Sequence, residues 1–384
     1  AATNDSAYTR NNPAGRTVST YDRGWTDSDQ DRVVDCNLLV LTANGECAGL
    51  TGNNLNFGGL SGTTTLANPE TLRGWGVREN DWQWGVTVQQ ELLPRMSVEV
   101  GYARRWWRGF TVTDNTLRGP GDYQDWTITA PSDPRLPDGG GYPISLSTVT
   151  AAAAARGAQN LITFDSDFIG EDHENYWHGF DVTFNARLRE GLTLQIGTGT
   201  GREVEDTCEL ERITDPPTGA NATTKNLHGC RDIEPWLTTL RGLASYTIPK
   251  IDVLVSGTFR SQPGAERVAT WNVPNSVIAG LLGRIPPGGT PTGNTAIAVL
   301  DDDRRLYEDR RAQVDIGLAK ILGFGTTRAD IGVDIGNLLN TNYATDFDDT
   351  YQYSVGNTAQ GGTWNNPTEI YTPRFVRLNF TVGF

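Results

Sequence analysis

The stretch TRADIGVDIGN, residues 327–337, decides the fold because apolar residues alternate with aspartate or glycine from Ala329 to Gly336. Successive side chains of a β-strand point to opposite faces, so this period of two predicts a strand with one apolar and one polar face. The last stretch, FVRLNFTVGF at 375–384, repeats the pattern. Its apolar positions are Val376, Leu378, Phe380, Val382 and Phe384.

Seven further stretches predict strands, although two of them, 251–259 and 312–321, alternate less cleanly. The other five are 81–89, 96–102, 179–188, 192–197 and 238–248. A less regular stretch at 16–25 is assigned as one more strand, which gives about ten.

The connections between these strands alternate between short and long. The short ones are 93–95, 189–191, 249–250 and 323–326, and the long ones are 26–79, 114–173, 206–234, 263–308 and 341–370. An antiparallel sheet with this alternation has tight turns at one end and long loops at the other. The sequence therefore predicts an all-β fold of about ten antiparallel strands.

Two architectures fit such a sheet. A sandwich would bury the apolar face against a second sheet, whereas an outer-membrane β-barrel would turn it to lipid and keep the polar face inside. The barrel is favoured because all short turns lie at one end and because aromatic residues gather near strand ends. These aromatic residues are Trp82, Tyr102, Trp106, Trp107, Tyr176, Trp177, Trp236 and Tyr246.

Composition narrows the function. Lys and Arg number 32 and Asp and Glu 46, a net charge of −14, so we expect no nucleic-acid partner. The chain has three His and one Met and carries no nucleophile, phosphate-loop or dinucleotide motif in the strand–turn–helix context that would support one. We therefore expect no enzyme and name no catalytic residue.

The C-terminal part resembles the end of a TonB-dependent outer-membrane receptor. The resemblance rests on ADIGVDIGNLLNT followed by Asn342-Tyr343, and on TPRFVRLNFTVGF ending at Phe384. Stretches 68–102, 133–142 (DPRLPDGGGY) and 230–249 (CRDIEPWLTTLRGLASYTIP) are similar to the large-loop, carboxypeptidase-regulatory-like subgroup. The similarity covers most of the chain from about residue 10.

The resemblance implies uptake of a scarce ligand through a barrel of about 22 strands with a plugged lumen. This chain corresponds to roughly the last ten strands, and we find neither a plug domain nor a TonB box, so no direct contact with TonB is expected. We treat 1–384 as a single barrel-like domain. In it, 1–80 holds the N-terminal strand with a disulfide-containing acidic loop, and 81–384 holds the barrel strands.

Ten strands in an open sheet would leave two edges whose backbone groups lipid cannot satisfy. The sheet must close as a small barrel, be completed by other chains, or bury its apolar face in a protein assembly. The expected partners are therefore outer-membrane lipid or like subunits in a homo-oligomer, at the outer membrane or the cell surface. The alternative function is a structural protein derived from a barrel, which self-assembles into an extracellular tube or filament.

Four cysteines form two pairs that are close in sequence. Three pairings can be drawn, and the local ones, Cys36–Cys47 and Cys208–Cys230, close small loops as disulfides do in an oxidising compartment. Four free thiols in a reducing compartment are the alternative.

One acidic stretch suggests a metal site. In DSDQDRVVD, residues 27–35, the aspartates stand at positions 1, 3, 5 and 9, and the carbonyl of Val33 stands at position 7. Oxygen ligands at alternating positions suit Ca²⁺. The predicted ligands are Asp27, Asp29, Asp31, Val33 and Asp35; the alternative is a solvated acidic turn beside Cys36. No other cofactor is expected, and no ligand-binding residue can be named.

Overall fold

The computed structural model describes residues 12, 14, 17–51, 55–60, 65–75, 77–188, 191–214, 224–300, 304–325, 327–352 and 361–383. The strands are β1 (Thr65–Ala67), β2 (Asn80–Leu93), β3 (Met96–Arg108), β4 (Thr111–Asn115), β5 (Tyr123–Thr129), β6 (Pro143–Val149), β7 (Asn160–Phe164), β8 (Glu174–Arg187), β9 (Thr193–Asp206), β10 (Thr224–Asn226), β11 (Arg231–Ile233), β12 (Leu237–Ile248), β13 (Val253–Gln262), β14 (Thr270–Pro274), β15 (Asn294–Ala298), β16 (Arg311–Phe324), β17 (Thr327–Gly336), β18 (Ala344–Phe347), β19 (Thr350–Gln352), β20 (Pro367–Ile370) and β21 (Phe375–Gly383). The α-helices are α1 (Ala151–Ala155), α2 (Ser166–Ile169), α3 (Cys208–Ile213) and α4 (Asn275–Leu282).

The fold is all-β, as predicted, and is dominated by one antiparallel sheet, here called the main sheet. Its strand order is β2-β3-β8-β9-β12-β13-β16-β17-β21, and β11 adds to β9 as a tenth strand. The nine strands of the path correspond to the nine stretches with the clearest alternation. Residues directly opposite share a face, as Val333 does with Leu378 across β17 and β21, so the apolar sides of all strands fall on one face.

The main sheet has two different ends. At one end the strands are joined by tight connections, and residues with positive φ make the turns, for example Arg95 (72°), Lys250 (74°) and Gly325 (66°). At the other end the long loops leave the sheet. This arrangement confirms the predicted alternation of short and long connections.

The predicted strand at 16–25 is wrong for the described residues 17–25. This segment makes only isolated bridges, Thr17 with Leu60 and Trp25 with Cys47. The reason is local, because Arg23 holds the segment against the disulfide loop that follows it. Its Nε donates to the carbonyl of Ala48 at 2.7 Å, and its guanidinium also donates to the carbonyls of Val40 and Thr42.

The long loops contain structure that the sequence analysis did not predict. They form small sheets of their own, with strand orders β1-β7-β4, β10-β6-β5, β15-β14-β19 and β18-β20. The hydrophobic core among the described residues lies here, and we call this region the loop layer. Its members include Trp126, Ile128, Leu136, Tyr142, Ile144, Leu146, Trp271, Val273, Ile278, Leu282, Ile297, Val299, Tyr351 and Trp364.

A buried polar network ties separate loops together within this layer. Arg135 forms an ion pair with Asp133 at 2.8 Å and donates to the carbonyl of Trp364 at 2.9 Å, and Tyr351 donates its hydroxyl to Asp133 at 2.9 Å. Burial alone would raise the pKa of Asp133, but the hydrogen bonds from Arg135 and Tyr351 outweigh it and lower that pKa. The loop between β3 and β8 is thus joined to the loop between β17 and β21.

The main sheet exposes its apolar face. Val88 is 64% exposed, Leu378 79% and Phe380 69%. No helix among the described residues is long and apolar enough to cross a membrane.

The main sheet does not close on itself within the described residues. Its outer strands β2 and β21 each pair on one side alone. Each neighbouring pair on the path is antiparallel and the path holds nine strands, so the first and the last run in the same direction. Closing the sheet with antiparallel pairs throughout would require a further strand between them.

Candidate functional site

The polar face of the main sheet lines a cleft of about 1070 Å³, here called the polar cleft. Five neighbouring strands, β8, β9, β12, β13 and β16, contribute to its wall. The contributing residues of this face include Asp181, Thr183, Gln195, Gly197, Gly199, Thr239, Arg241, Thr258, Arg260, Gln313 and Asp315.

The sheet curves around the polar cleft. Neighbouring strands are about 4.8 Å apart, so five strands of a flat sheet would span almost 20 Å without enclosing a volume. Side chains of all five strands line one cleft, which requires the polar face to be concave. Tyr371, which precedes β21, also lines the cleft, and its hydroxyl donates to Oε1 of Gln313. Small residues such as Gly197 and Gly199 keep the wall open where the cleft passes β9.

Asp315 in the polar cleft is fully engaged. Nε2 of Gln313 donates to both of its carboxylate oxygens at 2.9 Å, and the amide of Asn337 donates to Oδ1 at 2.7 Å. Thr258 adds a longer hydroxyl contact at 3.4 Å. The carboxylate of Asp315 therefore has its partners within the chain.

The predicted calcium ligands form a second candidate site, here called the acidic loop. Two sets of carboxylates come close enough to hold one cation each: Asp27, Asp29 and Glu46, and Asp29, Asp31 and Asp35. Asp29 belongs to both sets. The structure thus brings all four predicted aspartates together.

The aspartates of the acidic loop shape their own backbone. Oδ1 of Asp29 accepts from the amide of Asp31 at 3.2 Å, and Oδ1 of Asp31 accepts from the amide of Val33 at 2.6 Å. These are the side-chain-to-backbone turns that Asp favours. Gln30 and Arg32 between them have positive φ, 65° and 64°. The role of the Val33 carbonyl stays a prediction.

Charge accumulates in the acidic loop. The carboxylate of Asp31, burial, and then the carboxylates of Asp29, Glu46 and Asp27 raise the pKa of Asp35. A bound cation would offset the repulsion among these carboxylates. Ca²⁺ suits the site because it is coordinated by oxygen ligands.

Glu46 is the site residue that the sequence analysis missed. Its carboxylate accepts from the amides of Ser28 at 2.5 Å and Asp35 at 3.3 Å. The signal lay in the cysteines, because Asp35 precedes Cys36 and Glu46 precedes Cys47. Once Cys36 and Cys47 are paired, the two carboxylates become neighbours.

Both predicted disulfides are present. Cys36 and Cys47 have Cα atoms 5.8 Å apart, and Cys208 and Cys230 have Cα atoms 4.7 Å apart. Cys36–Cys47 closes the acidic loop. Cys208–Cys230 joins the start of α3 to the segment before β11, beside the loop end of β9.

His173 and His178, which the sequence places close together beside acidic residues, lie in different surroundings. Nδ1 of His173 is 2.7 Å from Asp165 and Nε2 is 3.4 Å from Glu205. Burial alone would lower the pKa of His173, but these two carboxylates raise it to about 9. His178 instead sits among aromatic rings on the apolar face, with its ring centroid 4.9 Å from that of Trp236.

Comparison of the chain with protein-family models, curated proteins and solved structures found no match. The resemblance to TonB-dependent receptors therefore stays a prediction.

Proposed function

We propose that the main sheet is part of the wall of an outer-membrane barrel that takes up a polar ligand, as the C-terminal barrel portion of a TonB-dependent receptor would. One observation carries the proposal: a single antiparallel sheet exposes apolar side chains on one face and lines a concave polar cleft with the other. Lipid is the solvent that suits the first face, and an aqueous lumen suits the second.

Two features of the apolar face support this orientation. Aromatic rings cluster from the middle of the strands towards their loop ends, with Trp84 5.4 Å from Tyr102 and Tyr102 4.8 Å from Phe180. Arg104 lies 4.5 Å above the ring of Tyr176 in the same band. Aromatic girdles mark the interfaces of membrane barrels, and a guanidinium group there can contact lipid phosphates.

The position of the loop layer supports the same orientation of the sheet in a membrane. Barrels of this kind carry short turns at the periplasmic end and long loops at the extracellular end. The disulfides Cys36–Cys47 and Cys208–Cys230 lie among the long loops, and disulfides persist in oxidising surroundings. The loop layer would then face the outside of the cell and cover the entrance of the polar cleft.

Cell fractionation tests the proposal. The full chain, produced with an export signal in a bacterium with two membranes, is expected in the outer-membrane fraction and in solution only with detergent. Recovery as a detergent-free, water-soluble monomer would contradict it.

A self-assembling tube or filament is the second candidate function, and the edges of β2 and β21 that stay unpaired among the described residues favour it. β2 and β21 run in the same direction, so the β21 edge of one copy can meet the β2 edge of the next in a repeating head-to-tail contact. Such a contact gives a ring or an open filament. Negative-stain electron microscopy of detergent-free material separates the candidates, because large regular particles would favour assembly over membrane insertion.

We also propose that the acidic loop binds Ca²⁺ through Asp27, Asp29, Asp31, Asp35 and Glu46. The support is the convergence of these carboxylates in a loop closed by a disulfide. The ion would stabilise the acidic loop by offsetting the repulsion among its carboxylates.

A further inference from the structure

Three arginines meet on the polar face of the main sheet. Arg241 on β12 is directly opposite Arg260 on β13. Arg260 is opposite Gln313 on β16, and Arg311 lies two residues before Gln313 on the same face. Directly opposite residues have Cβ atoms about 5 Å apart and diagonal neighbours about 7–8 Å. We call these three residues the arginine cluster.

None of the three arginines has a carboxylate partner among the described residues. Other arginines of the same face do, since Arg377 contacts Asp334 at 3.1 Å and Arg105 contacts Asp81 at 2.9 Å. Asp315, an acidic residue on the same strand as Arg311, is already engaged by Gln313, Asn337 and Thr258.

Arg311 is the most constrained member of the arginine cluster. Its Nε and Nη2 atoms are buried and have no hydrogen-bond partner among the described residues. Its guanidinium carbon lies 5.7 Å from the ring of Tyr343, which stacks on Tyr371 with centroids 4.7 Å apart. A buried N–H group without an acceptor costs about 1–3 kcal/mol, and more when it is charged.

The arrangement is therefore unfavourable in the chain alone. Like charges directly opposite each other destabilise a sheet, and here they occur in a chain whose net charge is −14. Adjacent guanidinium groups become favourable when an anion lies between them, because each offers a planar fork of donors that matches a carboxylate or a phosphate.

We propose that the arginine cluster binds the carboxylate or phosphate group of a small anionic solute in the polar cleft. Arg241 and Arg260 line the cleft together with Tyr371, and Arg311 lies beside Arg260 with Tyr343 and Tyr371. The anionic group lies between the guanidinium groups, and the stacked tyrosines form the wall beside it. This inference rests on the proposed uptake function and names the class of ligand for the same cleft.

Calorimetric titration of the full chain in detergent tests the inference, with citrate as the carboxylate probe and inorganic phosphate as the phosphate probe at constant ionic strength. We expect at least one probe to bind, and Arg260→Gln and Arg311→Gln each to weaken that probe about tenfold or more. The matched control is Arg377→Gln on β21, which removes an arginine of the same face that is paired with Asp334 and should leave binding unchanged. Arg260→Lys keeps the positive charge but removes the planar pair of N–H donors, so this variant should bind the probe with intermediate affinity.

The two probes identify the group that the cluster recognises. Binding of citrate alone assigns the site to carboxylates, and binding of phosphate alone assigns it to phosphates. The inference is overturned if neither probe binds, or if Arg377→Gln weakens binding as much as Arg260→Gln does. Because titration reports on the cleft and fractionation on the apolar face, failure of this inference is distinguishable from failure of the proposed function.

Discussion

The loop layer of this chain buries its apolar side chains, whereas the main sheet exposes them. In the loop layer, Val273 and Tyr351 are fully buried and Trp364 is 1% exposed. In the main sheet, Leu378 and Phe380 are 79% and 69% exposed. The loop layer is thus covered by the chain itself, whereas the described residues leave the apolar face of the main sheet exposed.

This difference separates two sources of stability. Close packing and the network of Asp133, Arg135 and Tyr351 stabilise the loop layer, as they would stabilise the core of a soluble domain. The apolar face of the main sheet gains only when lipid, detergent or another protein removes it from water. Substitutions in the two regions should therefore respond differently to the surroundings of the chain.

The largest expected effect comes from an aromatic side chain of the loop layer. Trp364→Ala removes a buried ring that donates to the carbonyl of Val268 at 2.8 Å, so the free energy of unfolding should fall by about 3–5 kcal/mol. Phe380→Ala on the main sheet is the matched control and should cost less, about 1–2 kcal/mol, because it loses burial in detergent but leaves no cavity in a packed core. Urea unfolding in one detergent, followed by near-ultraviolet circular dichroism, compares them. Equal losses would mean that Phe380 lies in a protein core.

The next effect concerns pH and the junction between the two regions. The pKa of His173 is raised to about 9 from an ordinary value near 6.5. The contribution of protonated His173 to the free energy of unfolding is therefore complete below about pH 6.5 and is lost as the pH rises through about 9. Over this pH range the free energy of unfolding should fall by about 3 kcal/mol. Urea unfolding at about pH 6 and pH 9.5 measures it.

The control for this prediction is His173→Gln. The variant should show a much flatter dependence of stability on pH over the same range, because Gln does not titrate. If the unsubstituted chain and the variant lose stability in parallel, His173 is not the group responsible.

The smallest effect is expected from Ca²⁺ on the acidic loop. A free Ca²⁺ concentration ten times the Kd should stabilise the chain by about 1.4 kcal/mol, and chelation should reverse the rise in Tm. Asp29→Asn should abolish this response, because Asp29 belongs to both carboxylate sets. Glu70→Gln, which changes an exposed carboxylate outside the acidic loop, should retain it. If Ca²⁺ leaves the Tm of the unsubstituted chain unchanged, the proposed site is refuted.

The main sheet could be predicted from the sequence, but the loop layer could not. Seven of the nine long strands show their period of two directly, as β17 and β21 do, and β13 and β16 show it less cleanly. The loop strands are short and pair over long separations; Trp271 on β14, for example, is beside Tyr351 on β19, and no local pattern encodes such a contact. The stretch at 16–25 misled because its alternation is weak and Arg23 holds the backbone elsewhere.

The candidate sites divide in the same way. The aspartates of the acidic loop could be predicted because they are close in sequence, and Glu46 could not be until Cys36 was paired with Cys47. The arginine cluster was missed because Arg241, Arg260 and Arg311 lie on three strands, and their register became known only with the sheet.

Site-directed spin labelling along β21 tests the central claim, that lipid covers the apolar face of the main sheet, most directly. Cysteines are introduced one at a time from 376 to 381, labelled, and studied in lipid vesicles. We predict high oxygen accessibility at Val376, Leu378 and Phe380, and high accessibility to a water-soluble nickel complex at the positions between them. Apolar-side labels that are shielded from both reagents, or open to the nickel complex, would contradict it.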